Sequence, residues 1–405
     1  MKLLEKINQS HNANALPYII SKMLERTGYY ALISILFLYI IETKSFHLER
    51  VNVSDFYKIF LKTTFISMLI GGILGDKILG YKKTMLLGNL LMFLGIILLL
   101  IPEKVNFYGS LILISLGQGL YGVNVLAQIA QFYLDKEKLL DAVFIGLLLV
   151  INAGGFAGPL IGYSLYRDGN FTPSIIFAAS MILLSFILIK TAPPPPDYKK
   201  EKTNKPGYLS MFFAIGILGM FWYIMQAFYL KTGSIQIVKQ SSSSDYISGD
   251  LVINMNAYFT IFIAILLFFV FSYFYINRSL KLFLGGILLI TGFIMTSKFQ
   301  QQIPENELTS LYFVLFIIAL AELLITPTLY ALLIKSAPVK WLATSLALVY
   351  VPFNLMNLML GEPHFLSDNS QGVFTDKGVW IVILTLLVFG ILAIINKKST
   401  AKTSE

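Results

Sequence analysis

Twelve apolar runs, each long enough to cross a bilayer core, constrain this chain more than any other feature. They lie near 15–41, 56–74, 84–101, 107–133, 141–165, 172–192, 208–230, 251–276, 280–297, 308–335, 340–361 and 378–396. About 20 helical residues cover the hydrocarbon layer, and backbone without water to bond must satisfy itself, so each run is expected to be a spanning α-helix. The chain of 405 residues is 56% hydrophobic and 13% charged, with a mean hydropathy of +0.73. That composition fits an integral membrane protein. The first run is about twice the length of a signal-peptide core, so it is expected to persist as a helix and act as its own insertion signal.

The texture changes once, at Ala192-Pro-Pro-Pro-Pro-Asp-Tyr-Lys-Lys-Glu-Lys. Four prolines cannot continue a helix, and the lysines beyond them form a solvated stretch. The expected organisation is a six-helix bundle over 1–192, a Pro/Lys-rich cytoplasmic linker over 193–207 and a second six-helix bundle over 208–405. With both termini cytoplasmic, the cytoplasmic loops hold 19 of the 31 Lys and Arg, and the opposite loops hold 10. This satisfies the positive-inside rule, and the net charge of +9 then reflects topology. A multi-pass protein of the cell (inner or plasma) membrane is expected, with the lipid bilayer as its surroundings. Nucleic acid is not an expected partner, since no soluble domain carries a basic face.

Charges deep in the apolar runs are costly and seldom kept without a task. Three sit together on the first run, Lys22, Glu25 and Arg26, and another is Glu322. Lys22, Arg26 and Tyr30 follow one another at four-residue spacing, so they share a helical face, with Glu25 and Tyr29 on the neighbouring row. Such a face presents cations, an anion and phenols to whatever it lines, which reads as a binding site. The chain has no cysteine, and His11, His47 and His364 read as tail or loop residues. No nucleophile–base pair or metal-ligand cluster stands out, so an enzyme, a metal site and a cofactor are not expected. Close helix packing is expected at Gly71/Gly75 and along Gly154, Gly158 and Gly162, whose spacing is that of small-xxx-small motifs. Lys239 to Asp250, with four consecutive serines, reads as a loop.

Between the second and third runs stands Gly71-Gly72-Ile-Leu-Gly-Asp76-Lys77-Ile-Leu-Gly80-Tyr-Lys82-Lys83. It is similar to the loop signature of glycine, acid and clustered bases in the major facilitator superfamily, and its form resembles that of the proton-dependent oligopeptide transporters. Gly72, Asp76, Lys77, Gly80, Lys82 and Lys83 are the expected conformational loop, with Asp76 able to pair with a neighbouring helix end. Glu25-Arg26-Thr-Gly-Tyr29-Tyr30 resembles the family's E-R-F-x-Y-Y, Ala321-Glu322-Leu-Leu-Ile-Thr-Pro327 its E-L-x-x-S-P, and Ile151-Asn152-Ala-Gly154 its I-N-x-G. Gln226 and Asn256 are weaker echoes.

The resemblance implies an all-α, twelve-helix major facilitator fold of two six-helix bundles. It also implies transport of di- or tripeptides, or peptide-like zwitterions, by alternating access with protons as the coupling ion. Arg26, with Tyr29 and Tyr30, would take the peptide carboxylate. Glu322 would face the ammonium group, with Asn152, Asn256 and Gln226 on polar atoms. A monomer is expected.

The pattern breaks around the coupling machinery. The leading glutamate of the family's Glu-x-x-Glu-Arg falls at Lys22, and its fourth-helix lysine falls at Gly122. Lys22, Glu25 and Glu322 are therefore the expected charge network. Any coupling is expected to run through Glu25 or Glu322. The alternative function is a same-fold carrier of another small solute, such as an organic anion drawn to Lys22 and Arg26, with weak or no proton coupling.

Overall fold

The computed structural model describes residues 4–42, 50–167, 169–195, 207–233, 236–238, 246–247, 249–297, 302–304 and 307–360. The helices are α1 Leu16–Glu42, α2 Arg50–Lys77, α3 Tyr81–Leu98, α4 Lys104–Gln131, α5 Leu140–Leu165, α6 Thr172–Thr191, α7 Tyr208–Gly233, α8 Gly249–Tyr273, α9 Arg278–Ser297, α10 Leu308–Ser336, α11 Leu342–Ala347 and α12 Tyr350–Leu360. The last two share one apolar run. Pro352 cannot donate to the carbonyl four residues back, and its ring crowds that carbonyl, so the helix breaks at Leu348 and Val349. Eleven of the twelve expected spans are thus helical among the described residues. The twelfth, 378–396, and most of the linker lie outside them.

Short strands join loops on both faces of the membrane domain. Strand β1 (Leu4–Lys6) pairs antiparallel with β4 (Phe274–Ile276), while β2 (Gln236–Val238) pairs with β3 (Tyr246–Ile247) and β5 (Gln302–Pro304). The segment expected as a loop over 239–250 therefore contributes β3 and the start of α8. Its serines lie outside the described residues.

Helix α1, which carries the charge cluster, is set by a glycine row on α5. A Cβ at Gly154 would lie 2.7 Å from the Met23 carbonyl oxygen, at Gly158 2.5 Å from that of Thr27, and at Gly162 2.7 Å from that of Ala31. Each contact is one turn beyond the last on both helices, so only hydrogen at these positions lets the backbones meet. Gly158→Leu is expected to force the two helices apart and destabilise the protein by about 3 kcal/mol or more. Thermal unfolding in detergent, compared with Gly155→Leu on a roomier face of the same turn, checks this.

Helices α1 to α6 pack among themselves, as do α7 to α10, and α5 with α8 and α10, and α2 with α11, join the two groups. The direction of each helix brings the N-terminus and the α2–α3, α4–α5, α8–α9 and α10–α11 connections to one face, called here the N-terminal face. There Asp141 at the start of α5 bridges Lys281 (2.9 Å) and Arg278 (3.3 Å) at the start of α9. Arg278 also donates to the Glu137 carbonyl oxygen at 2.9 Å, and Lys335 pairs with Glu137 at 2.8 Å. Asp141 and Lys281 are buried.

Candidate functional site

The α1 charges form a closed triad. Glu25 is fully buried and accepts from Lys22 Nζ at 2.9 Å, Arg26 Nε at 2.8 Å and Arg26 Nη2 at 2.6 Å. The i, i+3 step to Lys22 supplies one cation and the adjacent residue the other, so one carboxylate serves two cations. The triad keeps one uncompensated positive charge. Aromatic faces share the load: the Arg26 guanidinium lies 5.0 Å from the Tyr29 ring centroid and 5.7 Å from that of Tyr30. Lys22 lies 5.1 Å over Tyr121 on α4. Tyr121 in turn bonds Ser21 at 2.9 Å, which bonds Ser185 on α6 at 2.8 Å.

Glu322 on α10 has different surroundings. It is buried and accepts from the Tyr229 hydroxyl of α7 at 3.0 Å, and Asn256 of α8 donates to that same hydroxyl at 3.2 Å. Among the described residues no cation stands within ion-pair distance of Glu322, so a bridge between Arg26 and Glu322, one alternative for these charges, is not formed. The Asn256 and Gln226 side-chain oxygens are buried without a hydrogen-bond partner among the described residues. Asn152 donates back to the Leu148 carbonyl at 2.9 Å on its own helix. Tyr30 lies close enough to Tyr229 for their phenols to interact electrostatically, as do Arg26 and Tyr350. The phenol beside Arg26 is thus a neighbour of the phenol that bonds Glu322.

Tyr229, which orients Glu322, is absent from the sequence expectations. Nothing local distinguishes it among 22 tyrosines. Tyr133, in the α4–α5 connection, is likewise unmarked in the sequence, yet its hydroxyl meets His11 at 3.3 Å, and His11 also bonds Ser272 at 2.8 Å. His11 lies in the non-helical stretch before α1, as expected, and there it is held between the α4–α5 connection and α8.

The α2–α3 loop behaves as a fastener. Asp76 accepts from the Thr344 amide at 2.7 Å, the Ala343 amide at 3.1 Å and the Thr344 hydroxyl at 2.7 Å, and from Tyr81 OH at 2.8 Å. The two amides are among those a helix start leaves unpaired. Gly72 permits this contact, since a Cβ there would lie 2.9 Å from the Thr344 Cα. Gly80 adopts φ +76°, which suits glycine. Lys77 lies 3.6 Å over the Trp341 ring, Lys82 donates to the Ala192 carbonyl at 2.7 Å, and Lys83 is exposed.

The profile of the Major Facilitator Superfamily matches residues 19–360. Dipeptide and tripeptide permease A of Proteus mirabilis is 27% identical over 191 residues, 45% of this chain and 37% of the permease. The matched stretch is therefore well under half of that relative's length. A crystal structure of peptide transporter POT in complex with sulfate has a TM-score of 0.63 at 18% identity, covering 97% of this chain and 96% of that one. A bacterial homologue of the iron transporter ferroportin, in an outward-facing state, has a TM-score of 0.68 at 13% identity, covering 96% and 100%. At these identities the structures establish the fold. The chain is a multi-pass membrane protein with the transporter fold and belongs to the Major Facilitator Superfamily.

Proposed function

We propose that the protein carries di- or tripeptides, or peptide-like zwitterions, across the cell membrane by alternating access between a 1–192 bundle and a 208–405 bundle joined by the 193–207 linker. One observation carries the reading: α1 holds a net cationic cluster, and α10 holds a buried carboxylate with no cation beside it among the described residues. A zwitterion needs both, and in a low-dielectric site each pairing is strong. Arg26, Tyr29 and Tyr30 bind the carboxylate end. Glu322 binds the ammonium end, and the free oxygens of Asn256 and Gln226, with Asn152, serve its polar groups. The chain acts as a monomer with cytoplasmic termini, and its role is carriage without chemistry on the substrate.

Protons are the coupling ion in this reading, and coupling runs through Glu25 or Glu322. Accumulation of a mixed dipeptide pool in proteoliposomes, driven by an inward proton gradient and abolished by Glu25→Gln or Glu322→Gln, is the expected result. Uptake equal with and without the gradient would overturn coupling, and Glu25, which already holds two cations, would then be the reason. The uncompensated charge of the triad supports a second reading, carriage of organic anions. Uptake of amine-free anions that depends on Lys22 would favour it.

A further inference from the structure

The segment of residues 4–12, ahead of α1, is tied on two sides. It crosses the N-terminal face from the α1–α6 group and is sewn to the other group. Its β1 strand pairs with β4 in the register Leu4↔Ile276, Glu5↔Tyr275 and Lys6↔Phe274. The Ile7 amide continues the pairing to the Tyr273 carbonyl at 2.8 Å. His11 bonds Ser272 and stacks on Phe268 of α8 with ring centroids 5.3 Å apart. The same segment is tied back to the first group. Lys136 donates to the Ser10 carbonyl at 2.9 Å, Lys138 pairs with Glu5 at 2.6 Å, and the Asn12 amide donates to Tyr133 OH at 3.2 Å.

We propose that residues 4–12 are a latch that holds the N-terminal face shut and must be released for that face to open. The inference rests on the alternating-access reading above. The segment is anchored to the α4–α5 connection on one side and to the end of α8 on the other. Those anchors belong to different groups of helices, so any separation of the groups at this face breaks the β1–β4 ladder or pulls the segment from Tyr133 and Lys136. The latch adds main-chain pairing to the Asp141–Arg278–Lys281 cluster beneath it. It is also accessible, since Lys6 and Phe274 are exposed.

The chain has no cysteine, which makes the latch directly testable. Lys6 and Phe274 face one another across an antiparallel pair, where Cα separations of about 4.5–5.5 Å suit a disulfide. In Lys6→Cys/Phe274→Cys, oxidation is expected to join the thiols and cut dipeptide uptake in proteoliposomes about tenfold or more, with reduction restoring it. Failure of the thiols to join would overturn the latch, and so would cross-linked protein whose uptake stays within about twofold of the reduced form. Absence of uptake in the reduced control would instead count against the peptide reading.

A second measurement needs no substrate. Ala142 is buried between α5 and α8. In Ala142→Cys, adding Ile7→Pro with His11→Ala removes the amide donor and the imidazole. Maleimide labelling of the thiol is expected to quicken about tenfold, as loss of one or two net hydrogen bonds implies. An unchanged labelling rate would overturn the latch.

Discussion

Glu25→Gln is expected to destabilise the protein by about 3–5 kcal/mol, whereas Lys22→Gln costs about 1 kcal/mol or less. The asymmetry follows from the count of charges in the triad. Glu25 accepts three hydrogen bonds from two buried or nearly buried cations. A glutamine there offers one oxygen and turns a donor toward Lys22 or Arg26, leaving like charges one turn apart in low dielectric. Losing Lys22 leaves the close Glu25–Arg26 pair intact and electrically neutral. Chemical unfolding of the two variants in detergent checks the difference. Equal destabilisation would mean that Lys22 needs Glu25 no more than Glu25 needs Lys22.

Asp141→Asn has the second large effect, and on conformation more than on folding. The substitution leaves Arg278 and Lys281 without the carboxylate that both contact, and Lys281 is almost completely buried. A loss of about 3–5 kcal/mol on breaking such a cluster corresponds to a shift of about two to four orders of magnitude in the balance of open and closed faces. Spin labels on Ile78→Cys and Lys340→Cys, both exposed and on different groups of helices, are expected to report a longer distance population in the Asp141→Asn background. An unchanged distance distribution would place the closure of this face on Asp76 and the latch alone.

Much of this architecture is legible in the sequence because its causes are local. Apolar length marks the spans, and the fourfold spacing of Gly154, Gly158 and Gly162 marks the face that receives α1. Intramembrane charge marks Glu25, Arg26 and Glu322, and the loop signature marks Asp76, which meets the start of α11 as expected. The features that escape reading are contacts between residues far apart in the chain. Asp141 and Lys281 stand at the ends of apolar runs, where a charge is ordinary, and only the meeting of the starts of α5 and α9 brings them together. Tyr229 gains its role from Glu322, 93 residues away. The latch escapes because three-residue strands have no periodicity to detect, and a polar N-terminal stretch looks like a tail.

A substrate that spans the cationic cluster and Glu322 couples the loss of its ammonium group to the loss of the Glu322 carboxylate, which a double cycle of ligand and side chain measures. Calorimetric binding of dialanine and N-acetyl-dialanine is measured on the unaltered protein and on Glu322→Gln. Acetylation removes the ammonium group, so it should weaken binding about a hundredfold or more in the unaltered protein. In Glu322→Gln the same acetylation should cost less than about threefold, because the partner is already gone. An equal penalty in both proteins would contradict the claim, since the ammonium group would then be bound elsewhere.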